Sequence, residues 1–236
     1  MTPILFYGVP AGCSFGSIVA LEWLQIPYRL CRIDMLSEEI RSANYRRVNP
    51  VAETPSLLTS DGRLLSESMA ILGHLAPHGV ETGLAFAQGT AGFDRLNQML
   101  AFLNTSLFGG FSPLWYAYEH ELGDEAKAAL QGFGAAQLEK AHADLAAMLG
   151  ERPYLLGDKP TLADAYFYGI ARWAEYHGVP DRASWPGLQG LFERLRDDPA
   201  VRFAEAIEKG EAAVSNGGFQ GHVTLDEALG ELRQAA

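Results

Sequence analysis

Short apolar runs alternate with helical periodicities up to about residue 80, and from about residue 89 the helical period stands alone. "PILFYG" (3–8) predicts a strand. "SFGSIVALEWLQ" (14–25) predicts a helix that Ile18, Leu21, Trp23 and Leu24 make apolar most of the way round, so it should be largely buried. "IPYRLCRID" (26–34) predicts a second strand with Tyr28, Leu30 and Arg32 on one face and Arg29, Cys31 and Ile33 on the other. "LSEEIRSANYRR" (36–47) reads as a polar, exposed helix. In "PSLLTSDGRLLS" (55–66), Asp61-Gly62 between two apolar runs signals a two-residue hairpin turn. "ESMAILGHLAPH" (67–78) is a helix ending before Pro77. The order is β-α-β-α-β-β-α, and its βαβ beginning requires two parallel strands joined by a crossover helix.

In the second half, Phe93, Leu96, Leu100, Leu103 and Leu107 step by three and four along one stripe. Gly109-Gly110 and Pro113 should bend or interrupt that helix. A second long helix carries Leu130, Phe133, Gln137/Leu138, Ala141, Leu145 and Met148 on one face and stops at Gly150. Core packing explains these stripes. In "PTLADAYFYGIARW" (160–173), Thr161 and Asp164 have capping-box spacing, a structural device worth on the order of 1 kcal/mol. The last stretch, 213–236, reads as a Gly-rich linker and a short amphipathic helix whose Thr224 and Glu227 again fit a capping box.

Composition narrows the function. With 236 residues and 48% hydrophobic positions, the chain can build one large or two ordinary cored domains. A net charge of −11 disfavours general nucleic-acid binding, which needs a basic face. The two cysteines, Cys13 and Cys31, make no disulfide scaffold and no zinc-type spacing, so no metal is expected. No signal-peptide pattern and no membrane-length apolar run is visible, and the plain expectation is a cytoplasmic protein without a membrane partner.

Three local features of the first half carry candidate chemistry. Cys13 stands where the first strand meets the first helix, and a helix N-terminus favours a thiolate. A downward shift of about 1.5 units would make it mostly thiolate, with the Ser14 hydroxyl as an extra donor; a buried, inert cysteine is the alternative. Pro55, just before a strand, suits a cis Thr54-Pro55 turn whose backbone faces a ligand, although trans is the commoner state. Ser66, Glu67 and Ser68 lead a strand into a helix, where amides can hold a carboxylate and Glu67 can accept from an ammonium group. An ordinary acidic N-cap reads the same way.

Together, "LFYGVPAGCS", "VNPVAETPSL", "SESMAI", "GFSPLW" and "TLADAYFYGIARW" resemble, in order, the segments of a cytosolic glutathione transferase, nearest to the bacterial beta class. The resemblance runs from about residue 3 to 210 and implies an α/β thioredoxin-like N-terminal domain (1–80) plus an all-α C-terminal helical bundle domain (89–212). It also implies a homodimer with glutathione as co-substrate. The Thr54 backbone, before cis Pro55, would pair with the cysteinyl part of glutathione, and Glu67 and Ser68 would hold its γ-glutamyl end. Cys13 would lie near the glutathione sulfur, with Ser14 and Tyr7 as the nearby hydroxyls. The beta class carries a His-Lys pair where this chain has Phe108-Gly109, and the family often has a lysine where this chain has Ser37. The electrophile pocket should then be apolar, walled by Phe108, Phe111, Trp115 and Tyr116, unless these are packing residues. Arg46 and Arg47 could be replacement cations or merely a solvated helix end. The implied activity is conjugation of glutathione to a small electrophile, or thiol–disulfide exchange with a small disulfide. The alternative is a non-catalytic scaffold of the same fold that binds a partner.

Overall fold

The computed structural model describes residues 1–235. They pack into two units, one of Met1–Ala85 with the segment from Asp197 onward, the other of Phe86–Arg196.

The first unit is built on a five-stranded sheet. Strands β1 (Ile4–Val9) and β2 (Tyr28–Asp34) are parallel, joined by helix α1 (Phe15–Leu24). β3 (Ser56–Leu58) lies antiparallel to β1, and β4 (Leu64–Ser66) antiparallel to β3. Helix α2 (Ser68–Leu75) follows, with a 3-10 turn over Ala76–Gly79 where Pro77 prevents continuation. Every residue of β1 is buried, as is every residue of α1 except Trp23, in keeping with a helix apolar on nearly all sides. Ile4, Phe6, Cys31, Ile33 and Leu58 form one apolar face of the sheet. The alternation expected for β2 is present, with Leu30 buried and Arg32 exposed on one face, Cys31 and Ile33 buried on the other.

Two local expectations are corrected. Residues 36–47 do not form a helix; only Tyr45–Arg47 make a 3-10 turn. Polar side chains there satisfy the backbone locally instead. The Asp34 carboxylate accepts from the Leu36 amide (2.9 Å), Ser37 Oγ from the Glu39 amide (3.2 Å), and Ser42 Oγ from the Tyr45 amide (3.1 Å). The hairpin loop is three residues long rather than two. The Thr59 amide bonds Arg63 O, closing Ser60, Asp61 and Gly62, and Gly62 takes φ 84°, which a glycine accepts freely.

The chain returns to this unit through helix α9 (Pro199–Lys209), packed on α1. The stretch read as a linker forms a fifth strand, β5 (Phe219–His222), parallel to β2 at the sheet edge, so the order is β4-β3-β1-β2-β5. Helix α10 (Leu225–Ala235) then buries Leu225, Ala228 and Leu229 in the cluster that contains Ile33 and Tyr45. Its Thr224–Glu227 capping box is formed.

The second unit is helical: α3 (Ala91–Phe102), α4 (Gly109–Glu119), α5 (Asp124–Leu149), α6 (Leu162–Ala171), α7 (Trp173–His177) and α8 (Pro186–Arg196). The interruption expected near Gly109 falls one turn earlier, as a π-helical turn over Leu103–Phe108, while Pro113 sits inside α4. The buried face of α5 is offset from expectation. Gly134, Leu138, Ala141, His142, Leu145 and Leu149 are buried and Phe133 is 57% exposed. The cause is close helix approach: a Cβ on Gly134 would press on Leu114 of α4, and one on Gly110 would press on Leu138. At the start of α6 the Thr161–Asp164 capping box is present. The fully buried Asp164 carboxylate also accepts from the Leu155 amide (2.9 Å), so it anchors the preceding loop as well as the helix.

Candidate functional site

Three turns of the first unit meet at Cys13. The β1–α1 connection delivers Cys13 just ahead of α1, whose N-cap is Ser14. The bend before β3 delivers Thr54 and Pro55, and the bond between them is cis. The β4–α2 junction delivers Glu67 and Ser68. Cys13 Sγ donates to Thr54 O at 2.9 Å, and the Ser68 hydroxyl donates to Cys13 O at 3.3 Å. The structure therefore gathers Cys13, Thr54, Pro55, Glu67 and Ser68 into one constellation.

Its backbone is unusual. Ala11, Ala52 and Glu67 all have positive φ (52°, 61° and 73°), each one or two residues from Cys13, Thr54 or Ser68. Glu67, at φ 73° and ψ 126°, lies outside the ordinary left-handed well, a state costing about 1–3 kcal/mol for a residue with a Cβ. Strain of this size persists where surrounding structure over-determines it, which is characteristic of ligand clamps. The Glu67 side chain is exposed and makes no cap to α2, so its carboxylate faces water.

The electrostatics of Cys13 differ from the sequence expectation. Burial pushes the thiol up to about 11 rather than down, against the Ser68 hydroxyl and the Cys13 amide, while the Glu53 and Glu67 carboxylates add to the rise. One reason is geometric: Cys13 precedes the N-cap, so it lies outside the first turn where the helix field is strongest. Cys13 is thus held as a protonated thiol and a hydrogen-bond donor.

The two hydroxyls expected beside it have different fates. Ser14 is fully buried, and its Oγ accepts from the Gly8 amide at 3.1 Å. Tyr7 turns elsewhere. Its hydroxyl lies 3.2 Å from His222 Nε2 on β5, in a cleft of about 640 Å³ lined also by Arg32, Glu39 and Glu211. Burial raises Tyr7 to about 12.

In the helical unit, Phe108, Phe111 and Trp115 gather on Trp173, with ring centroids 5.4, 5.5 and 5.4 Å away. Trp115 also stacks on Tyr176 and meets His177 edge-on. Phe111 is wholly buried, while Tyr116 stays out of this cluster, half exposed and stacked on His120 at 4.0 Å. Arg46 is spent on Pro50 O (2.9 Å), and Arg47 is exposed. Among the described residues, no group of three or more His, Cys, Asp or Glu could hold a metal ion. No helix there is long and apolar enough to cross a membrane.

Sequence reasoning missed the residues that shape the Thr54 turn. Thr54 Oγ1 points at Met35 Sδ (3.4 Å), and a Cβ on Gly8 would collide with both. Tyr45 Oη and Asn49 Nδ2 each donate to Glu53 O at 2.8 Å. The only sequence signal for these was a tyrosine and an asparagine in a segment otherwise too polar to be buried.

An α/β unit with a cysteine, a cis-proline turn and a helix start converging, followed by a helical unit, defines a thioredoxin-like transferase architecture. The family model for the glutathione S-transferase N-terminal domain matches residues 12–77, and that for the C-terminal domain matches residues 113–199. Glutathione S-transferase GST-4.5 of Xanthomonas campestris pv. campestris is 31% identical over 203 residues, covering 86% of this chain and 97% of that protein. A solved structure described as a ternary complex of BphK, a bacterial glutathione S-transferase, aligns with a TM-score of 0.76 at 31% identity, covering 87% of this chain and 99% of that one. A sphingomonad glutathione S-transferase complexed with glutathione aligns at 0.74 and 27%, covering 87% and 98%. This chain belongs to the glutathione S-transferase family. β5 and α10 lie beyond both matched family models.

Proposed function

We propose that this protein is a transferase that binds glutathione in its N-terminal unit and presents the glutathione sulfur beside Cys13. The observation carrying this is the 2.9 Å approach of Cys13 Sγ to Thr54 O beside Ser68. A peptide running along the Thr54 turn would pair with its main-chain groups and take over the carbonyl that Cys13 now engages. The freed thiol proton could then be donated to the glutathione thiolate. The Ser68 hydroxyl and the start of α2 would receive the γ-glutamyl carboxylate, and the exposed Glu67 its ammonium group. The sphingomonad relative, described as complexed with glutathione, supports the same choice of ligand.

A protonated Cys13 favours conjugation, because a neutral S–H stabilises a neighbouring thiolate by hydrogen bonding. Exchange with a small disulfide is the second reading, favoured by the presence of a sulfur that can form a mixed disulfide. Ser14 stands next to Cys13 and is the hydroxyl assigned to the same sulfur, whereas the turn of Tyr7 toward His222 argues for a lesser part. We assign Phe108, Phe111, Trp115 and Tyr116 to the apolar part of the electrophile. The homodimer and the cytoplasmic setting belong to the same proposal.

Calorimetric titration with glutathione tests the reading against that of a ligand-free scaffold. One site per chain with a dissociation constant at or below about 1 mM is expected, equivalent to about 4 kcal/mol. No heat at several millimolar would support the scaffold instead.

A further inference from the structure

The C-terminal segment is fastened to the first unit at several separate points. Buried Glu22 of α1 accepts from the Tyr28 hydroxyl (2.6 Å), the Ser215 hydroxyl (2.7 Å) and the amides of Asn216 (3.1 Å) and Gly217 (3.0 Å). Gly218 then runs so close to the Ile26 carbonyl that no Cβ would fit. β5 pairs with β2 next, the Val223 amide bonds Leu30 O at 2.9 Å, and Glu231 of α10 grips Arg29 through both carboxylate oxygens (2.8 and 2.5 Å). This is far more fastening than a spacer needs.

What α10 covers gives the segment a role. Leu225, Ala228 and Leu229 share one apolar cluster with Ile40, Tyr45 and Val48; Ile40 and Tyr45 belong to the stretch 36–47, expected to be a polar, exposed helix and found to be turns. Tyr45 leads from that cluster to the ligand turn. Its ring is wholly buried there and its hydroxyl donates to Glu53 O, which Asn49 Nδ2 also holds, one residue before Thr54. A helix from the far end of the chain thus backs the segment that sets the height of the Thr54 carbonyl.

We propose that α10, acting through Leu229 and Tyr45, is a positioning element for the glutathione turn at Thr54. Tyr45 and Leu229 are positioning residues and touch no substrate. The inference rests on the glutathione reading for its effect on binding, but not for its effect on the turn itself.

The full chain is compared with Tyr45→Phe, Leu229→Ala and the double variant. Amide hydrogen exchange over residues 49–56 is followed without ligand, and the KM for glutathione is set against kcat. Each single variant is expected to speed exchange over 49–56 about tenfold and to raise that KM about tenfold, with kcat little changed. The double variant is expected to be no worse than about twentyfold, because both changes act on one path. Unchanged exchange over 49–56 in either single variant, or a full hundredfold loss in the double, overturns the proposal. Should Leu229→Ala fail to fold, Leu229→Val, which trims the same apolar cluster by less, takes its place. If the wild type binds no glutathione, the functional reading fails, yet the exchange measurement still decides this one.

Discussion

Replacing Asp164 by alanine is expected to cost about 3–4 kcal/mol of stability, because the Leu155 and Thr161 amides lose their buried partner together. The Thr161 hydroxyl, 2.9 Å from the same carboxylate, loses the acceptor of its proton too. An ordinary lost helix cap costs about 1 kcal/mol, so a larger loss reports the tie to the 155 loop beyond the cap itself. Asp164→Asn keeps the shape and part of the acceptor capacity, and should lose roughly half as much. Burial raises the Asp164 pKa to about 6 despite its donors. For an acid whose folded pKa is raised, the associated stability is fully present below about pH 4 and is lost as pH rises through about 6. The gap between wild type and Asp164→Asn should therefore be wider at pH 4.5 than at pH 7.5. Chemical denaturation at both pH values measures it, and a gap that widens with pH would contradict the assignment.

Cys13→Ser is expected to separate the two chemistries. Serine keeps an O–H where the thiol now donates to Thr54 O, so glutathione affinity should stay within about threefold and conjugation within about tenfold. Disulfide reduction should fall by at least about a thousandfold, since an alcohol cannot form the mixed disulfide. With its pKa raised to about 11, Cys13 is about one part in ten thousand thiolate at pH 7. Any exchange by the wild type should accordingly quicken about tenfold per pH unit between 7 and 9. Reductase turnover unchanged in Cys13→Ser would remove the cysteine from the mechanism, and conjugation lost with it would remove the hydrogen-bonding role of its hydrogen.

The parts of the fold that follow from side-chain period were legible in the sequence. The strand at Ile4–Val9, the buried α1 and the Thr161–Asp164 cap are local patterns with local causes. Misreadings arose where a non-local or competing interaction decided. Asp34, Ser37 and Ser42 bond the backbone and dissolve an expected helix, while Gly134 rather than Phe133 faces α4 because two helices approach closely. The strand Phe219–His222 was hidden because "GGFQGH" has weak strand character, and its pairing partner β2 lies almost two hundred residues away. Within the site, Cys13, Thr54 and Ser68 could be nominated from their turns. The diversion of Tyr7 toward His222 and the raised Cys13 thiol could not, since both come from burial among distant segments.

A crystal of this protein soaked with glutathione examines the ligand's seat directly. The tripeptide should lie along Thr54 with main-chain hydrogen bonds on both sides of its cysteinyl residue, its sulfur within about 4 Å of Cys13 Sγ, and its γ-glutamyl end at Ser68 and Glu67. Glutathione bound elsewhere, or a Thr54 carbonyl still held by Cys13 with the ligand present, would contradict the assignment.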